Sequence, residues 1–268
     1  MTAKENTADV NSKLLSGSVL KTIALLTMLL DHTSLTLLRN INYFTTPFVT
    51  VMGFDVTWYQ VFRFIGRTAF PLYCFLLIEG YLHTRSREKY GLRLLIFSVI
   101  SEIPWDLWQN GNFFFSRQNV FFTLFLGLCA IYIYDNFRND RKKLVYGLLI
   151  VFGLSLILKA DYGIMGVGFM LFLFIMRKSR LLSGFIGCCF FANPISVAPA
   201  FVLINLYNGK RGFIKGRVLQ YAFYIIYPVH MLVLYIIKLK YFGYWTGFLI
   251  SIRSRKPVFE VLIIKVWW

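Results

Sequence analysis

Repeated apolar runs, each approaching the length of a bilayer crossing, constrain this chain more than any single motif. They lie near residues 20–38, 58–80, 91–108, 120–134, 144–158, 161–176 and 218–238. A spanning helix needs roughly 20 predominantly apolar residues, and in hydrocarbon every backbone polar group must find its partner within the protein. The run 181–207 is interrupted by "ANPISVAPA", where Pro194 and Pro199 disfavour one continuous helix, so two short helices in a tight hairpin are expected. The fold class predicted is all-α, a polytopic transmembrane helical bundle of about 8–10 spans. Composition removes the soluble alternative: 57% of the 268 residues are hydrophobic and only 15% are charged. Residues 1–13 read as a short cytoplasmic tail, 14–240 as one membrane domain, and 241–268 as a C-terminal segment of undefined topology. No small-residue cleavage site follows a short apolar region, so the first span reads as retained rather than as a signal peptide. Cys74, Cys129, Cys188 and Cys189 sit in apolar runs without CxxC spacing, which points to neither a disulfide framework nor a metal site.

The net charge of +17 raises the question of nucleic acid, but its distribution answers otherwise. Basic residues gather in "HTRSREKYGLR", "DNFRNDRKK", "RKSR" and "NGKRGFIKGR", at alternate helix ends, while the intervening loops carry only Arg39, Arg117 and Lys159. This is the positive-inside pattern, and it places the N-terminus and the basic loops in the cytoplasm. The charge is topological, and the basic loops can also meet anionic lipids or a phosphorylated ligand. No nucleic-acid partner is expected.

Polar residues inside the spans are the functional signal. The stretch "LKTIALLTMLLDHTSLTLL" holds Asp31 and His32 near its middle, where a charged side chain costs about 2.5–3.5 kcal/mol on insertion scales. Counting about 1.5 Å per residue from the basic end puts His32 just past mid-bilayer. Arg67 falls at a similar depth on the antiparallel run 58–80, with Arg63 one turn away on the same face, and Glu102, Tyr227, Pro228 and His230 reach the same layer. One cavity lined by these groups accounts for them. Arg63 and Glu79 also admit a reading as static ion-pair members. His230 reads either as a core histidine satisfied by a backbone carbonyl or as part of the site. His83 reads as a solvated loop charge, and "FFF" at 113–115 as interfacial anchors.

Lys21 and His32 are eleven residues apart, which places them on nearly the same helix face and about 16 Å apart along the axis. That span is comparable to an extended pantetheine arm. A basic mouth holding coenzyme A phosphates, with a buried imidazole at the far end of the arm, would suit acyl transfer.

The strings "LKTIALLTMLLDHTS", "RFIGRTAFPLYCFLLIEGYLHTRSREKYGLRLLIFSVISEIPWDL", "NVFFTLFLGL", "ADYGIMGVG" and "YAFYIIYPVH" together resemble the TraX family, named for the conjugative pilin acetylase. They run in family order up to about Lys238. The basic residue, ten-residue gap and histidine of Lys21 to His32 also resembles the first-helix motif of the wider membrane acyltransferase superfamily. The resemblance implies an integral acetyltransferase of a bacterial inner membrane, with acetyl-CoA as donor and a peptide or pilin N-terminus, a small molecule or a surface glycan as acceptor. His32 is then the expected general base, since imidazole titrates near neutrality. Asp31 stands about 100° around the helix and is expected to anchor it to a neighbour, while Glu102 orients the imidazole. Arg67, with Arg63, is expected to stabilise the tetrahedral oxyanion. An acetyl-histidine intermediate is the alternative to direct transfer. Candidate donor-binding residues are Lys21, Arg63, Arg67 and Arg93, and candidate acceptor-binding residues are Glu79, Asn119, Asp161, Tyr227 and His230. The rival classes are a proton-coupled secondary transporter with a midplane polar site, for which the sequence lacks an internal repeat, and a noncatalytic assembly partner.

Overall fold

The computed structural model describes residues 14–191, 193–214 and 216–253. Helix α1 is Gly17–Thr36, capped by the Ser16 hydroxyl. A 3-10 turn, the one-turn helix α2 (Asn42–Thr45) and a hairpin of β1 (Val49–Val51) and β2 (Phe54–Val56) lead to α3 (Trp58–Gly66) and α4 (Ala69–His83). Then follow α5 (Arg87–Ile100), α6 (Glu102–Asn110), α7 (Val120–Phe137), α8 (Arg141–Ile157) and α9 (Gly163–Ile175). The expected hairpin is present as α10 (Arg180–Cys188) and α11 (Pro194–Asn205), and α12 (Arg217–Arg253) completes the bundle.

The architecture is all-α as expected, apart from the small hairpin, whose Met52–Gly53 turn has both residues at positive φ. Among the described residues, three segments are long and apolar enough to cross a membrane: Trp58–His83, Val120–Phe137 and Val218–Tyr241. Helix α1 is long enough at 20 residues, but Lys21, Asp31 and His32 lower its hydropathy. Residues 1–13 and 254–268 lie outside the described residues, so the expected N-terminal tail and most of the C-terminal segment have no structural account.

Two expected continuous helices are broken, each by proline chemistry. In the run 58–80 the chain turns at Arg67–Thr68, because Pro71 has no N–H to offer the Arg67 carbonyl. In the run 91–108 it turns at Ser101, because Pro104 leaves the Ile100 carbonyl without its helical donor. Both breaks fall beside candidate site residues and re-aim them.

Helix α1 packs against α3, α4 and α12, while α7 packs against α5, α8 and α9, and α6 lies on α12. The close approach of α1 and α3 depends on Gly66, where a Cβ would collide with the Asp31 side chain. Leu20, Ala24, Leu72, Leu94, Met170 and Met231 are among the fully buried residues that join these helices into one core.

The basic loops collect at one end. The segment 208–214 folds over the start of α1, where the Gly17 and Ser18 amides donate to the Lys210 and Arg211 carbonyls, both at 2.8 Å. The Ile214 amide in turn donates to the Ser18 hydroxyl at 2.8 Å. First-turn amides have no intrahelical acceptor, and this loop supplies one. Arg87 pairs with Asp135 at 2.8 Å, joining the start of α5 to the end of α7, and Arg180 donates to the Tyr207 carbonyl at 2.9 Å. At the opposite end the Gln118 amide donates to the Lys159 carbonyl at 3.3 Å, and Trp105 Nε1 to the Arg117 carbonyl at 2.8 Å.

Candidate functional site

A cavity of about 1130 Å³ occupies the bundle interior, slightly above the roughly 300–1,000 Å³ typical of small-molecule sites. Its wall includes Lys21, Glu79 and Arg93 toward the basic end, Asp31, His32, Arg63, Arg67 and Tyr227 at mid-depth, and Asp161 toward the opposite end. Glu102, Asn119 and His230 stand outside that lining.

At mid-depth Asp31 Oδ2 meets Arg63 Nη1 at 2.5 Å. The 100° offset of Asp31 from His32 thus turns its carboxylate toward α3, as an anchor between helices. Three polar groups of this layer, Asp31 Oδ1, Arg63 Nε and the Tyr227 hydroxyl, are buried without a hydrogen-bond partner among the described residues. Leaving such a group unpaired costs about 1–3 kcal/mol, and these three residues line the cavity, where a ligand can take part in the bonding.

His32 Nδ1 lies 2.7 Å from His230 Nε2, with the rings coplanar to within 2°. His230 is itself buried, and its Nδ1 donates to the Ile226 carbonyl at 2.8 Å, the backbone partner of a core histidine, while its Nε2 faces His32. Trp108 leans on the other side of His32, with centroids 5.1 Å apart. It is held there because Nε1 donates to the Thr36 hydroxyl at 2.7 Å, and that hydroxyl donates to the His32 carbonyl at 2.6 Å.

One expected role is corrected. Glu102 does not orient the imidazole: its Oε2 accepts from Asn119 Nδ2 at 2.5 Å and from the Asn119 amide at 3.3 Å. The break at Ser101 places Glu102 in the first turn of α6, facing the start of α7. Asn119 is spoken for as well, donating to the Ser98 carbonyl at 2.8 Å and capping α7 by accepting from the Phe121 amide at 3.0 Å. These two residues tie α5, α6 and α7 together behind the cavity wall.

Toward the basic end, the Lys21 ammonium lies 4.4 Å from the Phe223 ring centroid, and the Arg93 guanidinium 5.6 Å from that of Tyr90. Arg211 joins them on the cavity wall. None of Lys21, Arg93 and Arg211 forms an ion pair among the described residues. Glu79 is the acid of this region and sits 3.9 Å from His83. Toward the far end, Asp161 shares the lining with Arg117 and Gln109.

Sequence reasoning did not single out Trp108, Arg211 or Arg117 for the site. Trp108 carries a readable signal, a tryptophan in an apolar helix beside the acid Asp106. Arg211 carries none, because its loop reads only as topological charge.

Long apolar helices enclosing a polar interior cavity define a membrane-embedded helical protein. The profile of the TraX family, described as TraX protein, matches residues 16–238, and the chain belongs to that family. It is 33% identical to the Probable fimbrial assembly protein FimC, serogroup H1, of Dichelobacter nodosus, over 82% of this chain and 94% of that protein. It is 29% identical to an uncharacterized protein of Rickettsia prowazekii (strain Madrid E), over 65% of this chain and 60% of that protein. No solved structure matches.

Proposed function

We propose that this chain is an acetyl-CoA-dependent membrane acetyltransferase acting on an amine or hydroxyl acceptor, with a pilus-associated peptide as the first acceptor class to test. The observation that carries the reading is one cavity connecting Lys21, Arg93 and Arg211, cations without an ion pair among the described residues, to the imidazole of His32. Membership of a family named for a pilin acetylase and likeness to a fimbrial assembly protein support it. In this reading the basic end faces the cytoplasm of a bacterial inner membrane, in keeping with the positive-inside pattern.

The mouth cations hold the donor's phosphates, and the thioester reaches mid-depth. His32 takes the proton of the acceptor's N–H or O–H as that atom bonds to the thioester carbonyl carbon. Arg67, on the cavity wall and without an ion-pair partner among the described residues, steadies the charge on the carbonyl oxygen. His32 then returns the proton to the departing thiolate as the carbon–sulfur bond breaks. Arg63 contributes less directly, since Asp31 engages one of its nitrogens.

The test is titration of purified protein with acetyl-CoA, followed by transfer assays on the parent and on His32→Ala. The expected result is donor binding by both and a loss of transfer of about 100-fold or more in the variant. A folded parent that binds no acetyl-CoA would remove the reading in favour of a transporter or an assembly partner.

A further inference from the structure

We infer that His230 is a positioning residue that fixes the tautomer of His32, leaving Nε2 of His32 as the lone pair presented to the cavity. The inference deepens the acetyltransferase reading and rests on it for the use made of that lone pair. A carbonyl oxygen only accepts, so His230 Nδ1, 2.8 Å from the Ile226 oxygen, carries a proton. A neutral imidazole has one N–H, and with His230 neutral its Nε2 holds a lone pair. His32 Nδ1, 2.7 Å away in the same plane, is then the donor. Neutral His32 has no second N–H, so its Nε2 is bare.

The burial pattern agrees with this assignment. His32 lines the cavity, whereas His230 is 9% exposed and absent from the lining, so one ring faces substrate and the other backs it. The rings come from α1 and α12, and each has packing of its own. Trp108 bears on His32, and Tyr227 lies 5.6 Å from His230 in edge-on contact. When His32 accepts a proton at Nε2, the Nδ1–H bond to His230 persists, and the His230–Ile226 bond continues the chain onto the backbone. An orienting acceptor behind a catalytic imidazole is most often a carboxylate. Here a second imidazole stands in that place, while Asp31 bonds Arg63 and Glu102 bonds Asn119.

The chain has only three histidines, which makes the tautomers directly observable. Full-length protein labelled with 15N-histidine, with His83→Gln used to identify the third ring, is examined by two-bond proton–nitrogen correlation. The expected spectrum shows His32 protonated on Nδ1 and bare on Nε2. His230→Gln, whose amide oxygen can accept in place of Nε2, should retain that pattern and much of the activity. His230→Leu should give mixed His32 tautomers and lower kcat by about tenfold or more, with KM for acetyl-CoA within about twofold. Nε2-protonated His32 in the parent, or an unchanged tautomer in His230→Leu, would overturn the inference. If His230→Leu does not fold, the parent and His230→Gln spectra still decide. The expected tautomers in a protein that transfers no acetyl group would uphold the histidine pairing and reject the acetyltransferase reading.

Discussion

At mid-depth, Arg63 and Asp31 meet at 2.5 Å and His32 and His230 at 2.7 Å, and at the basic end Lys21, Arg93 and Arg211 line the same cavity without an ion pair among the described residues. In the first region side chains from α1, α3 and α12 hold one another in place, while Asp31 Oδ1, Arg63 Nε and the Tyr227 hydroxyl keep bonding capacity to spare. The second presents positive charge that no ion pair among the described residues compensates. The contrast teaches that rigidity and affinity are built at different depths. Preorganised groups belong where bonds change, and uncompensated cations belong where an anion arrives.

Three substitutions would break or sharpen this contrast. The largest effect is expected from Asp31→Ala, which leaves the Arg63 guanidinium without its carboxylate. Orphaning one member of a buried pair costs about 3–5 kcal/mol. Since both side chains here retain 17–18% exposure, about 2–3 kcal/mol is expected. Thermal unfolding in detergent measures it, and the double variant Asp31→Ala/Arg63→Leu should recover most of the loss. Gly66→Ala comes next. Its new methyl group falls on the Asp31 side chain and should cost about 1–3 kcal/mol by overpacking; an unchanged melting temperature would show that α1 and α3 separate freely. The smallest effect belongs to the mouth. Lys21→Ala should leave unfolding nearly unchanged while weakening acetyl-CoA binding about fivefold to tenfold, close to 1 kcal/mol. The difference between parent and variant should shrink as salt rises. Equal donor affinity at low salt would deny the mouth its role.

Much of this was legible in the chain. The apolar runs gave the helical class, "ANPISVAPA" gave the α10–α11 hairpin, and counting residues along each run placed Asp31, His32, Arg67 and His230 in one layer. Counting could not say which face each side chain occupies once a helix breaks. Pro71 and Pro104 are plain in the sequence, yet each sits in the first turn of a new helix within an unbroken apolar run, so hydropathy carries across the turn. That is why counting along the run points Glu102 at the imidazole, whereas the broken helix turns it to Asn119. The pairing of His32 with His230 bridges 198 positions, and one chain's sequence holds no local pattern for it. The hairpin at 49–56 escaped for a simpler reason: its strands are short and exposed, with no buried face to impress an alternating pattern.

The segment 208–214 bonded over the start of α1 has a consequence for biosynthesis. It lies just before α12 in the sequence, and His230 lies 198 positions beyond His32, so α1 must wait for α12 to be made before its first-turn amides and His32 have all their partners. Helices made earlier can enter the membrane and pack in turn. The histidine pair closes only once α12 arrives, so a partly made chain in the membrane lacks the ring that faces His32 Nδ1.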